Sequence, residues 1–210
     1  MSFLENLNWR YATKRFDTTK KVKEEDVKKI REAIRMTPTS LGVQMFHVVE
    51  VVSQDLKDKL RAISFDQEQM STADRIFVFC ARKDLADRTE EMFMDMTNND
   101  EEFRKNDKDI SQYEKSVKFF AGQLGADRIP EWSAREAHIV LGFALAACAE
   151  LKIDSCPVGG FDPVKAKEIL NMDLDFMPVV CLPIGYRDET DEHLKFKKWR
   201  FPEDKIFEKM

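Results

Sequence analysis

Apolar and polar positions along the chain alternate between helical and strand periods. Val27, Ile30 and Ile34 recur at helical spacing within KEEDVKKIREAIRM, and acidic residues fill its first turn, so a helix is predicted there. TPTSLG breaks that pattern. The Val-rich FHVVEVVS and the segment RIFVFCAR each read as a strand. ISQYEKSVKFFAGQL returns to helical spacing. EWSAREAHIVLGFALAACAEL is a helix that becomes apolar almost all round from Ile139 onward, as a helix does when covered on every side by a large core or a subunit interface. A chain of 210 residues has little room for such a helix, which predicts an obligate dimer. DSCPVGGFD reads as a short strand and a glycine turn, and DPVKAKEILNM as a helix capped by Asp162 with Pro163 at its first position. MPVVCLPIGY is a buried strand. Helices in the majority, interleaved with strands, predict an α+β or three-layer arrangement around a small sheet.

Neither a fixed-period repeat nor a low-complexity linker divides the chain, so one domain over residues 1–210 is expected. Residues 98–109 carry charge at eight of twelve positions and read as an exposed loop or helix start. Apolar residues make up 43% and charged residues 35%, a globular and well-solvated composition. The net charge of −5 argues against broad nucleic-acid binding. The longest apolar run, Ile139 to Ala149, has eleven residues, short of the roughly 18 that suggest a membrane span. The opening residues lack the apolar core of a signal peptide. Cys80, Cys148, Cys156 and Cys181 lie far apart in apolar surroundings and read as reduced, buried thiols of a cytoplasmic protein. With three histidines and no cysteine cluster, a zinc site is not expected.

Three places could carry chemistry. In NWRYATKRFD, Arg10 and Lys14 stand four apart and would share a face of a helical turn. The tail brings Lys195, Lys197, Lys198 and Arg200 together. Pro157–Gly160, PVGG, ends a strand in two glycines that could present backbone N–H groups to a ligand. Each has a plainer reading: a solvated face, an exposed terminus, a turn before the next helix. His47 in its apolar strand reads as a satisfied core histidine, Phe119–Phe120 as core, and residues 37–40 as a helix stop. Walker, Rossmann and nucleophile-elbow motifs are absent, so a bound phosphate would be held by side chains, for which arginine's planar fork is suited.

Taken together, RYATKRFD, TPTSLGVQMFHVV, FDQEQMSTADRIFVFCAR, KFFAGQ, the long segment from EWSAREAH to PVGGFD, MPVVCLPIGY and KKWRFP resemble, in order and over nearly the full length, the FMN-dependent nitroreductase family, in its oxygen-insensitive NAD(P)H nitroreductase and dihydropteridine reductase branch. The resemblance implies a small mixed β-sheet surrounded by helices in three layers. It also implies a homodimer with FMN at the interface and a C-terminal segment exchanged across the partner. Arg10, Lys198 and Arg200 would hold the FMN phosphate, within an opening motif that includes Tyr11 and Ala12. Lys14 would reach the pyrimidine edge, where a cation stabilises charge gathering near N1 and O2. Pro157, Val158, Gly159 and Gly160 would face N5 and O4 through the glycine amides. Pro38, Thr39 and Ser40 would come from the other subunit and pack beneath the ring, Gly42, Asp66 and Gln69 would also belong to the cofactor site with Asp66 at the pyrimidine, and Phe120 would cover the substrate pocket.

The implied activity is hydride transfer from NADH or NADPH to a flat acceptor, a nitroaromatic or quinone, by a ping-pong mechanism without a protein general acid. An FMN carrier or redox sensor without turnover is the alternative, and a module binding an acidic partner through the tail is a third possibility. The chain departs from the family pattern at several points: Ala12 replaces a frequent serine, Asp66 and Gly42 replace asparagines, and Gln69 stands where some members have lysine. Gly159 replaces a glutamate and Glu136 a glutamine. These changes bear on redox potential and substrate range more than on FMN binding.

Overall fold

The computed structural model describes residues 2–99 and 107–210. The predicted helix at 23–36 is α2 (Glu24–Arg35), which follows a short α1 (Phe3–Trp9). Strand β1 (Phe46–Val51) leads through α3 (Gln54–Ala62) and α4 (Gln69–Thr72) to β2 (Arg75–Arg82). Three longer helices come next: α5 (Leu85–Asn99), α6 (Asp107–Leu124) and α7 (Ile129–Glu150). The chain closes with β3 (Asp154–Ser155), α8 (Pro163–Ile169) and β4 (Phe176–Gly185). Of the charged run at 98–109, residues 100–106 lie outside the described residues.

The sheet order is β1-β2-β4-β3, and every pairing between its strands is antiparallel. Among the described residues, parallel pairing is confined to one bridge, Ala12 with Ser155. The expected mixed character therefore rests on the opening segment and not on the four strands.

The alternation of β2 builds the three layers. Phe77 and Phe79 point to one face and pack with Val27, Ile30 and Ile34 of α2 and with Val140 and Ala144 of α7. Ile76, Val78 and Cys80 point to the other face and pack with Leu60 of α3, Met70 of α4 and Ala166 of α8. A third cluster, Val43, Met45, Leu85, Phe93 and Val117, lies under α5 and α6. Asp162 caps α8 as its sequence predicts, accepting from the Val164 and Lys165 amides.

Several expectations are corrected. His47 is exposed on the edge strand β1, stacked on Phe176 with centroids 4.4 Å apart, because an edge strand has one uncovered side. Phe119 is exposed, and Phe120, half-buried, packs on Trp132 with centroids 5.6 Å apart. Helix α7, by contrast, leaves Ile139 and Phe143 44% and 43% exposed within one protomer, so of the two covers its pattern allows, the protomer's own core is not the whole one.

Candidate functional site

The opening segment is set by what anchors it. A Ser2–Glu5 capping box starts α1, and the helix ends at Arg10, whose backbone is extended. Ala12 bridges to Ser155, and Phe16, buried, bridges to Arg187. A Cβ on Gly185 would stand 2.9 Å from Phe16 Cδ1, so a glycine at the end of β4 makes room for that ring. Arg10 and Lys14 are therefore not on a helical turn. Arg10 has an extended backbone and Lys14 lies in a bend, and both side chains line the same cavity.

That cavity has a volume of about 400 Å³. Arg10, Tyr11, Ala12 and Lys14 line it from the opening segment, and Pro157 from the glycine turn. The tail contributes His193, Phe196, Lys197, Lys198 and Arg200. Segments nearly two hundred residues apart thus place five lysine and arginine side chains around one space.

Their hydrogen bonds differ. Arg10 Nε is buried with no partner among the described residues. Its Nη2 reaches only the Tyr11 carbonyl, at 3.4 Å. Burial pushes the Arg10 guanidinium below its ordinary pKa, Cys156 opposes this, and the Arg200 charge adds to the depression. Lys198, which the resemblance assigns to the phosphate, lines the cavity and makes its own hydrogen bonds to backbone. Its Nζ donates to the carbonyls of Leu7 at 2.6 Å, Asn8 at 3.1 Å and Arg10 at 2.5 Å. All three ammonium donors thus cap the end of α1, where carbonyls are left over and a cation is favoured. Burial first, then Arg10 and Arg200, lowers the Lys198 pKa. Lys14 Nζ stands 3.6 Å from Cys156 Sγ. Burial raises the Cys156 thiol's pKa, and Lys14 works against that rise.

Other expected site residues lie around or away from this cavity. Val158 is buried, its amide donating to the Cys181 carbonyl. The amides of Gly159 and Gly160 donate to no group among the described residues. Neither glycine has a positive φ, and a Cβ at Gly159 would meet nothing within 4 Å. Gln69 is buried behind the cavity, donating to Gln67 Oε1 at 3.0 Å and lying 3.8 Å from Cys156 Sγ. Asp66 is exposed in a left-handed turn and pairs with Arg61 at 2.7 Å. Residues 38–42 take no part in lining their own protomer's cavity. Ser40 gives both its amide and its hydroxyl to the buried Glu136, at 3.0 and 2.5 Å. Thr39 Oγ1 accepts from the Gln44 amide, and Gly42 sits at φ +61 against the Tyr113 hydroxyl.

A family model described as the nitroreductase family matches residues 7–186. This chain belongs to the nitroreductase family. A Staphylococcus saprophyticus protein provisionally named an NAD(P)H nitroreductase is 32% identical over 197 residues, covering 89% of each chain. The crystal structure of a nitroreductase family protein from Streptococcus pneumoniae superposes with a TM-score of 0.84, 26% identity and full coverage of both chains. A structure from Exiguobacterium sibiricum, provisionally named a nitroreductase and solved in complex with FMN, gives a TM-score of 0.86 at 17% identity, covering 100% of this chain and 98% of its own. The matched region contains the opening segment and the glycine turn, whereas the tail that completes the cavity lies beyond residue 186. Among the described residues no helix is long and apolar enough to cross a membrane.

His193 and Phe196 were not singled out from the sequence. Their only signal there was membership of the basic, aromatic tail, and nothing in that composition says which of its side chains turn inward.

Proposed function

We propose that this nitroreductase-family chain is an FMN-dependent oxidoreductase that takes electrons from NADH or NADPH and reduces a flat acceptor such as a nitroaromatic or a quinone. The observation that carries the reading is Arg10: a buried guanidinium with an unpartnered Nε, on a cavity ringed by Lys14, Lys197, Lys198 and Arg200. Such a donor loses water without gaining an acceptor, a cost that a bound anion removes. The cation set fits a phosphate group. FMN when bound would supply hydride chemistry at N5, which no side chain here can provide.

The chain's residues bind and orient. Arg10 and Arg200 hold the phosphate directly, while Lys198 adds charge and fixes the end of α1. Lys14, beside the glycine turn, supplies a cation for the pyrimidine edge. The unpaired amides of Gly159 and Gly160 are donors for the ring's polar rim. One pocket serving donor and acceptor in turn predicts ping-pong kinetics. The site is completed by a second copy of the chain. Ile139 and Phe143 leave an apolar strip on α7, and the tail exposes Trp199, Phe201, Ile206 and Phe207, which suits an arm exchanged across a homodimer. Residues 38–42 would then reach the cavity from the partner.

An absorption spectrum followed by anaerobic addition of NADH and then NADPH tests the reading. Flavin bands that bleach are expected. Bands that persist with both nucleotides would mark a flavin carrier or sensor, and a protein that stays colourless after incubation with FMN would overturn the cofactor assignment.

A further inference from the structure

Asp191 is a carboxylate only 4% exposed, one residue before the short 3₁₀ turn Glu192–Lys195. Its two oxygens serve different parts of the chain. Oδ1 accepts from the His193 amide at 3.0 Å and pairs with His193 Nδ1 at 3.2 Å, which fixes the start of the tail. Oδ2 accepts from the Tyr11 hydroxyl at 2.8 Å, the Lys14 amide at 2.8 Å and the Arg15 amide at 3.4 Å, which fixes the opening segment. Burial alone would raise its pKa. The donated hydrogen bonds, led by the Lys14 and His193 amides, outweigh that and hold it below the ordinary carboxylate value, so the group is charged at neutral pH.

We infer that Asp191 is the positioning residue of the anion cradle: it locks the opening segment and the tail in one register, so that Arg10 and Arg200 converge on a single phosphate. The inference rests on the FMN reading above. It is distinct from it, because Asp191 does not line the cavity. Upstream of Asp191 the Phe16–Arg187 bridge and the Asp188 amide, donating to the Arg15 carbonyl at 3.0 Å, also tie the two segments; beyond it the next link is Lys198, seven residues further on. With Asp191 disabled, the chain between Asp188 and Lys198 can rotate and the tail cations lose their aim; Lys14 loses one backbone anchor, while the glycine turn, tied by the Val158 amide to the Cys181 carbonyl, stays in place.

Asp191→Asn is the informative variant. It keeps the shape, but a carboxamide has one acceptor oxygen and one NH₂ donor, so whichever way it turns, one of the two segments faces a donor instead of an acceptor. The measurement is the affinity of the apo-protein for FMN and for riboflavin, which lacks the phosphate, in parallel with thermal unfolding. Wild type should prefer FMN by on the order of 100-fold or more, the worth of two charged hydrogen bonds. Asp191→Asn should cut that preference about tenfold or more, with the smaller loss falling on riboflavin, which feels only the loosened Lys14 backbone. A purely structural role would lower the unfolding temperature or weaken both ligands alike and leave the ratio intact, which would overturn the inference. Tyr11→Phe removes one Oδ2 donor, and a preference reduced by a few-fold is expected. If Asp191→Asn fails to fold, an unchanged ratio in Tyr11→Phe would overturn the inference in its place. Wild type that binds FMN no better than riboflavin would overturn the phosphate reading itself, a result visible before any variant is made.

Discussion

The cavity's cations are not equivalent. Arg10 is buried with an unsatisfied Nε, whereas Lys198 is fully engaged with backbone carbonyls. Arg10→Ala should therefore weaken FMN retention by about 1.5–3 kcal/mol, read by fluorescence titration, since a charged hydrogen bond of this kind is removed. A loss below about 1 kcal/mol would contradict the phosphate role. The pH dependence follows from the depressed Lys198. Its folded-state pKa lies under the ordinary 10.5, so the ligand-free protein sheds that proton before an unfolded chain would. A bound dianion favours the charged form. FMN affinity should thus fall as pH rises through the alkaline range below 10.5, and Lys198→Met should flatten that fall. Arg10 and Lys14 were legible as a pair through the resemblance, whereas the helical spacing that first joined them does not describe residues 10–14. The backbone contacts of Lys198 and the anchoring role of Asp191 were not legible, since each depends on a partner 180 or more residues away.

Helices and strands with a strong period were legible to within about three residues at their ends. RIFVFCAR is β2 in full, because alternate residues bury on both faces of a central strand. MPVVCLPIGY corresponds to β4, with Pro178 accommodated beside the bulge opposite Phe79 and Cys80. Helices α1, α3, α4 and α5 gave no comparable signal. Helix α3, QDLKDKLRA, buries Lys57, whose ammonium donates to the Ala73 and Asp74 carbonyls at 2.6 and 3.2 Å, a polar residue at a core position that blurs the apolar stripe. At this scale the seating of the opening segment is testable. Gly185→Ala would press a methyl against Phe16 and the Asp74 amide, and a destabilisation of about 1–3 kcal/mol in urea unfolding is expected. Lys198→Met should cost about 1.5–3 kcal/mol in the same measurement, because the carbonyls at the end of α1 lose a charged donor.

The whole molecule raises the question of what covers α7. Phe143→Glu, placed on its exposed apolar strip, should shift the protein from dimer to monomer in sedimentation velocity and release flavin with it. A variant that stays dimeric would place the interface elsewhere. The sequence by itself determined the strongly periodic elements, the α+β class, the cation pair in the opening motif and, through the ordered resemblance, the family. Those depend on local spacing and residue type, which a linear reading carries. Only the tertiary structure decided that the opening pair lies outside a helix and that His47 is exposed on an edge strand. It also decided which cation is left without a partner. Burial and hydrogen-bond pairing are properties of segments brought together from opposite ends of the chain, and no window along the sequence contains both.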